Sequence, residues 1–511
     1  MLTATERPAV AGRRRAVPAD TPLPWPLLAL PVVLTLATGF IGARSRQLWL
    51  DEYATWWAST LDRHDFGTLI GHLDTVQAPY YLLMHGWIRL FGDSPLAMRV
   101  PSVLAMAAAT WFVVRIAARV YQPAVGLLAG CLMSAVPFMG LYAQTARPYA
   151  FAVMFASGAT LALFRLLDGA RRGWWAAYAL ALIGAGAVHL VALLVLLPHG
   201  LAVLWCVRRE GGRRGLVAGW AVATGAALLA LSPVVVRGYQ QQGQIGGGAR
   251  GFDEALFLVV YAFRNDLAAA AVVWFAVLGA CLVPAARSRV LALVTWAAFP
   301  YALVIPAMGL LNLASLRYLL FALPPWFVLA AAALWRTATA WPSSIARRAG
   351  VAVLVGVFAL MVPGNVELRH DPLLGYPDFR AASAAFAGAK PTDGLVIAGD
   401  NDAILHPHMP AYYLRPRGIE LHGAFLAQDP REAGNYDGAR CDDLRGCLLR
   451  FDRVWLMTTA RTDDPFGEMD PAEARLLRDE FSVARMDEYQ GVRVLLLVRP
   501  ATAAPAAGLP G

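Results

Sequence analysis

Ala78–Gly92 reads APYYLLMHGWIRLFG, and whether this aromatic stretch crosses a membrane or lies on one decides the arrangement of the whole chain. Helical from Pro79 to Phe91, it would reach only about 20 Å, short of the ~30 Å hydrocarbon core, and it carries His85 and Arg89. We read it as a surface helix. The nearby stretch LWLDEYATWWAS at 48–59 has a related character. Asp51 and Glu52 beside Trp49, Tyr53, Trp56 and Trp57 make a poor spanning helix and a good amphipathic one, with charge and rings meeting at the membrane edge. Read alone, the two acids also suit the N-terminal turn of an exposed helix, which favours negative side chains.

The remainder sets the bilayer as the main solvent. Of 511 residues, 58% are hydrophobic and 15% charged, the profile of a polytopic membrane protein. The net charge of +9 comes from arginines in short clusters between apolar runs, not from one basic domain. They read as topology signals, and nucleic acid is not an expected partner.

Residues 1–22, with Arg13, Arg14 and Arg15, read as a disordered basic leader in the cytoplasm. A first span is expected at 24–43. With Pro79–Phe91 kept on the surface, the others fall near 96–117, 123–142, 148–167, 174–189, 191–207, 215–236, 268–285, 290–310, 318–335 and 349–362, about eleven in all. This parity puts Arg115 and Arg119, Arg171 and Arg172, Arg208–Arg214, Arg287 and Arg289, and Arg347 and Arg348 in the cytoplasm, as the positive-inside rule requires. Making Pro79–Phe91 a span would invert them all. The same parity brings Asp51, Glu52, Asp74, Gln77, Arg147, His189 and Arg317 to one outer face. Charge at a membrane edge costs ~2.5–3.5 kcal/mol per residue on insertion scales and tends to mark function.

The fold class expected is therefore mainly α: a transmembrane domain over 23–364, its outer loop 44–95 carrying the acidic motif. A small α/β domain over 365–500 lies outside the cell membrane, followed by a disordered tail, 501–511. Strands are expected at Leu395–Ala398, Val454–Met457 and Val492–Val498, and helices at Phe379–Ala387 and Pro471–Phe481. The Gln/Gly-rich loop from Arg237 to Asp266 reads as a lid or a linker. Cys131, Cys206 and Cys281 fall in apolar runs as small core residues. Cys441 and Cys447, in the outer domain with five residues between them, are placed to form a disulfide.

Four motifs carry a resemblance: LWLDE at 48–52, YYLLMHGWIRLFGDSPLAMRVPS at 80–102, YAQTARPYA at 142–150 and LRYLLFALPP at 316–325. With YPDFRAASAAF at 376–386 as a looser match, the sequence resembles GT-C glycosyltransferases of the dolichyl-phosphate-mannose protein mannosyltransferase type, in their bacterial polyprenyl-phosphate-sugar-dependent branch. The resemblance implies a polyprenyl-phosphate-linked sugar donor, with mannose the first candidate. It implies a lipid, glycan or protein acceptor. Asp51 takes the position of the base within the catalytic pair Asp51 and Glu52. Asp74, Gln77, Tyr81, Arg147, Tyr149, His189, Arg317 and Tyr318 are implied as substrate-binding residues. The chemistry agrees: a lipid phosphate leaves as a stable anion, so the leaving group needs neutralising and the acceptor hydroxyl needs a base. A carboxylate opposite the phosphate gives inversion, and Arg147 and Arg317 suit the phosphate oxygens. Where relatives often have histidine this chain has Gln77, and where they often have an acid before the ARPY element it has Thr145. No metal ligand is assigned, and a divalent cation stays open as a cofactor. DNDAILHPHMP at 400–410 reads as a loop, and GQIGGGARG lacks the strand–turn–helix setting of a nucleotide fingerprint.

Two other readings compete. A transporter or flippase of lipid-linked sugars would also need many spans, but should bury its charges near the midplane, often in paired repeats. A binding protein with a decayed site is the third. The topology is checked by reporter fusions after Ser94, Ala143 and Gly364, all expected to report an outer location; a cytoplasmic signal after Ser94 would overturn the surface-helix reading.

Overall fold

A computed structural model describes residues 24–241, 261–311, 316–340, 343–371, 373, 376–398, 408–459 and 462–500. The leader, the tail, most of the Gln/Gly-rich loop and most of 400–410 lie outside the described residues. The chain begins with helix α1 (Trp25–Phe40), then three short helices, α2 (Leu50–Thr60), α3 (Arg63–His72) and α4 (Ala78–Phe91). The first long helix, α5 (Pro95–Val120), is followed by α6 (Pro123–Ala135), α7 (Pro137–Ala143), α8 (Tyr149–Leu167) and α9 (Trp174–Val188).

Among the described residues six helices are long and apolar enough to cross a membrane: α5, α8, Leu190–Arg209, Gly215–Gln240, Arg287–Pro306 and Ser344–His370. A seventh crossing results if α6 and α7, bent by 71° at their junction, count as one. Each of the eleven expected segments contains helix, but Pro26–Phe40, α9 and Asp266–Leu282 are shorter apolar helices. At 1.5 Å per residue, 15 to 17 residues reach only about 25 Å, which is why length alone does not qualify them. The segment expected at 318–335 is broken into a 3-10 turn, Leu316–Ala322, and a helix, Pro324–Thr339.

Close packing in the bundle relies on small residues, as expected where lipid competes with protein for apolar contact. A Cβ on Gly126 of α6 would lie 2.6 Å from the Val114 carbonyl oxygen of α5. Thr35 on α1 bridges Thr110 and Ser134 through hydroxyl contacts of 2.9 Å each, joining three helices inside the apolar core. Cys206 is buried as expected; Cys281 is not a core residue but exposed, because it lies on the outward side of Asp266–Leu282. Helix α4 buries Tyr80, Tyr81 and Met84 and exposes Leu82, Leu83, Leu90 and Phe91. It is two-faced, as a surface helix should be.

The C-terminal domain holds a five-stranded sheet, ordered β2–β1–β5–β7–β6, from β1 (Gly394–Ala398), β2 (His422–Gly423), β5 (Arg453–Thr459), β6 (Ser482–Tyr489) and β7 (Val492–Val498). A separate hairpin pairs β3 (Leu426–Gln428) with β4 (Ala439–Arg440). The three expected strands are present; β6 was not foreseen, because its side chains are mostly exposed and give no apolar run. Both sheet faces are covered. Val454, Leu456, Leu495 and Leu497 pack toward Pro471–Glu480, whereas Trp455, Met457, Val492 and Val494 join the large core that continues into the helical part. Cys441 and Cys447 form a disulfide.

One buried ion pair fixes the start of this arrangement. Arg99 on α5 grips Glu52 on α2 in a two-pronged contact, Nε to Oε1 at 2.9 Å and a terminal nitrogen to Oε2 at 2.6 Å. Its other donors reach the carbonyls of Ala43, Arg46 and Gln47 at 2.7–2.9 Å. Glu52 also accepts the backbone N–H of Ala146 at 2.8 Å and of Trp49 at 3.2 Å. Both side chains have no exposure. Burial alone would raise the Glu52 carboxyl; the Arg99 charge and hydrogen bonds outweigh it and hold the group below its ordinary value.

Removing one partner leaves a buried charge uncompensated, so Glu52→Gln and Arg99→Leu should each cost about 3–5 kcal/mol, read as a lowered melting temperature in detergent. Because the folded-state carboxyl is depressed, its stabilisation is present above the unfolded value near 4.3 and is lost as pH falls through the lower folded one. Wild-type melting should therefore become acid-sensitive below about pH 4, and Glu52→Gln should lose part of that sensitivity. An unchanged melting temperature in both variants would remove the pair's structural role.

Candidate active site

Asp51 and Glu52 are consecutive on the first turn of α2 and their side chains part company there. Glu52 turns inward to Arg99, whereas Asp51 faces two arginines from distant parts of the chain. Its Oδ2 lies 3.6 Å from Nε of Arg147 and 3.5 Å from a terminal nitrogen of Arg317. Arg147 sits in the tight connection between α7 and α8, and Arg317 in the 3-10 turn Leu316–Ala322.

These contacts are at ion-pair range and are not hydrogen bonds. Asp51 Oδ2, Arg147 Nε and Arg317 Nε are all buried atoms without a hydrogen-bond partner among the described residues. Buried polar atoms are nearly always satisfied, so three such atoms on residues that meet at one carboxylate call for an explanation. Two guanidiniums against one carboxylate leave an excess positive charge, a set that suits the oxygens of a phosphate better than a cation. Burial disfavours the Arg147 charge, but Asp51, with Tyr149, Tyr81 and Asp74, overrides this and holds the guanidinium more firmly protonated than usual.

The other expected residues line this cluster. A terminal nitrogen of Arg147 reaches the Thr55 hydroxyl at 3.3 Å and the Tyr81 hydroxyl at 3.5 Å. Tyr81 donates to Asp74 at 2.8 Å, and Asp74 adopts the left-handed backbone with φ of 56°, uncommon for any residue but glycine. Tyr149, His189 and Tyr318 form a wall of rings: centroids lie 5.9 Å apart for Tyr149–His189 and 5.5 Å for His189–Tyr318. His189 Nε2 donates to the Tyr318 carbonyl at 3.1 Å, which fixes its ring against the turn that carries Arg317. Arg317 also lies over the rings of Trp49 and Tyr318, at 5.4 and 5.5 Å, so its charge is supported by aromatic faces.

The structure thus brings together Asp51, Asp74, Tyr81, Arg147, Tyr149, His189, Arg317 and Tyr318. Glu52 is adjacent in sequence but enclosed. Gln77 ends a 3-10 turn with its side-chain oxygen Oε1 buried and unbonded, and among the described residues no hydrogen bond or ion pair joins it to Asp51 or the arginines. Sequence reading missed Thr55 and Arg99, and took Trp49 only for a membrane-edge ring. Arg99 carried a signal: it is a charge in the first turns of a long apolar helix, where an unpaired arginine is costly. Thr145 hydrogen-bonds its own turn at Leu141. Among the described residues no three His, Cys, Asp or Glu side chains converge on one point.

At the far end of α8, Asp168 pairs with Arg119 at 2.7 Å and with Arg289. Two of the arginines expected in the cytoplasm, Arg119 and Arg289, therefore meet at the opposite end of α8 from Arg147.

Residues 78–237 match the family model described as dolichyl-phosphate-mannose-protein mannosyltransferase. No curated protein matches the sequence. Among solved structures the chain is similar to ArnT from Cupriavidus metallidurans bound to undecaprenyl phosphate, at 15% identity and TM-score 0.64, covering 93% of this chain and 98% of that one. It is also similar to the oligosaccharyltransferase of Archaeoglobus fulgidus in the apo form, at 10% identity and TM-score 0.53, covering 84% of this chain and 69% of that one. A third similarity is to the arabinofuranosyltransferase AftD from Mycobacteria, at 16% identity and TM-score 0.52, over 94% of this chain and 42% of that one. The structural matches show that the chain shares the fold of these proteins, and the family-model match runs from α4 into the helix Gly215–Gln240.

Proposed function

We propose that the protein is a membrane glycosyltransferase that moves a sugar from a polyprenyl phosphate to a hydroxyl of a lipid, glycan or protein acceptor outside the cell. The observation that carries this reading is Asp51 set against Arg147 and Arg317 with unsatisfied polar atoms on all three. Similarity to a protein whose structure is described with undecaprenyl phosphate bound supports the lipid phosphate as donor. Mannose is the first sugar to try, in line with the description of the matched family.

In this mechanism the donor phosphate competes with Asp51 for the two guanidiniums. That exchange does two things at once. It gives the phosphate oxygens charge-assisted partners, and it frees the Asp51 oxygen from the guanidiniums so that it can meet the acceptor hydroxyl. Asp51 then accepts the acceptor's hydroxyl proton as its oxygen attacks the anomeric carbon. The bond from that carbon to the phosphate oxygen breaks, and the electron pair leaves with the polyprenyl phosphate, held by Arg147 and Arg317. Attack from the side opposite the leaving phosphate inverts the anomeric centre. Glu52, held by Arg99, positions the helix that presents Asp51.

A transporter would concentrate its charges near mid-membrane, whereas these lie at one end of the bundle. Incubating the purified protein with polyprenyl-phosphate mannose and membrane extract should add a hexose mass to an acceptor; release of intact donor across vesicles without transfer would favour the transporter.

The two charges should fail differently. Asp51→Asn keeps the shape but cannot take the proton, so donor binding should persist while turnover falls about 10²–10⁴-fold. Arg317→Lys keeps a charge but loses the fork, and should chiefly weaken donor binding. If folded Glu52→Gln loses turnover while Asp51→Asn stays near normal, the base is the other carboxylate.

A further inference from the structure

We propose that Tyr436 of the C-terminal domain is a positioning residue for donor binding, acting through Asp74 and Tyr81 to hold Arg147 in place. The inference rests on the transferase reading above. It makes the outer domain a working part of the membrane site.

The contacts form an unbroken chain. Tyr436 donates to Asp74 Oδ2 at 2.6 Å, and Tyr81 donates to the same oxygen at 2.8 Å. The two phenol oxygens are 3.2 Å apart, and the Tyr81 oxygen faces Arg147 at 3.5 Å. Because the Tyr81 proton is committed to Asp74, its lone pairs are left for the guanidinium. Burial and the negative charge of Asp74 push both phenols well above their ordinary values, so both remain protonated donors. Asp74, in its left-handed backbone, joins the two domains through one carboxylate oxygen.

The loop that carries Tyr436 is built to reach this point. It spans the turn between β3 and β4, and β4 runs directly into Cys441, which is tied to Cys447 by the disulfide. Gly434 has φ of 65°, and a Cβ there would lie 2.8 Å from Thr68 Cγ2 and 2.9 Å from His72 Nδ1 on α3. Only glycine therefore satisfies both the backbone angle and the close approach. Asn435 Oδ1 accepts the backbone N–H groups of Asp437 and Gly438 at 2.9 and 2.6 Å, which sets the turn around Tyr436. The Tyr436 ring rests against Trp57, with centroids 5.2 Å apart.

The test is a kinetic cycle on the full-length protein, with donor affinity also measured directly as binding of polyprenyl phosphate. Wild type is measured first: failure both to bind polyprenyl phosphate and to transfer sugar overturns the transferase reading and this inference with it. With an active wild type, Tyr436→Phe should raise the donor KM about 10-fold, as expected for one lost hydrogen bond to a charged group, with kcat within about 2-fold. Combined with Arg147→Lys, it should add nothing to the donor defect of Arg147→Lys alone, because the group it acts through is already altered. Should Tyr436→Phe fold poorly, Asp74→Asn, which keeps the shape and weakens the acceptor, should show the same KM shift and the same lack of additivity. An unchanged donor KM, a fall in kcat alone, or independent effects that multiply in the double variant would each overturn the inference while leaving the transferase reading intact.

Discussion

The enclosed pair of Glu52 and Arg99 is the constraint on which the site depends. A bare ion pair this deep would cost several kcal/mol in lost hydration. Here the cost is offset because the arginine spends its donors on two carboxylate oxygens and three backbone carbonyls, and the carboxylate takes two backbone N–H groups besides. Such a pair specifies geometry more than it adds stability. It draws together the 43–47 segment, the first turn of α2, the head of α5 and the Ala146 backbone, one residue before Arg147.

That last link matters for the chemistry. Glu52 fixes where the Arg147 turn lies, and its neighbour Asp51 is thereby brought to face Arg147. Two adjacent acids divide the work by direction. One is desolvated and fully bonded, so it cannot take part in proton transfer without unfolding its surroundings. The other lies at the edge of a cluster with a surplus of positive charge and keeps an unbonded oxygen. The N-terminal turn of α2 supports both carboxylates electrostatically. Arg147 stands just before the N-terminus of α8, so the helix end adds to the positive potential an incoming phosphate would meet.

Much of this was legible because the sequence obeys strong rules. Apolar runs locate the helices, and arginine parity predicts one shared face for Asp51, Asp74, Arg147, His189 and Arg317. The short apolar runs at 454–457 and 492–498 locate the central strands. What could not be read were pairings that have no period. Nothing in LWLDE says which acid is enclosed; that depends on Arg99, 47 residues away. Strand Ser482–Tyr489 is an exposed edge strand whose register is set by its neighbour β7. The contact of Tyr436 with Asp74 was equally invisible, since it joins segments 362 residues apart through a loop whose course depends on Gly434.

The outer domain is therefore better described as the wall of the site than as an appendage. Its sheet shares one face with the core that continues into the helical part, and besides Tyr436 several polar contacts fasten it to the 44–95 loop, among them Gln47 to the Pro377 carbonyl, Arg380 to the Ser45 carbonyl, Tyr53 to Tyr413, and Tyr412 to the Asp93 carbonyl. The short helices α2 and α4 could not hold these positions by themselves, because isolated helices of 11 and 14 residues are marginal in water. They need cover on the side away from the bundle. The aromatic side chains that read as membrane-edge anchors in sequence, Tyr53, Trp56 and Trp57, are instead buried against Tyr412, Tyr413 and Tyr436. Rings that would serve as interface anchors in a lone amphipathic helix here join the C-terminal domain to α2, the helix that carries Asp51.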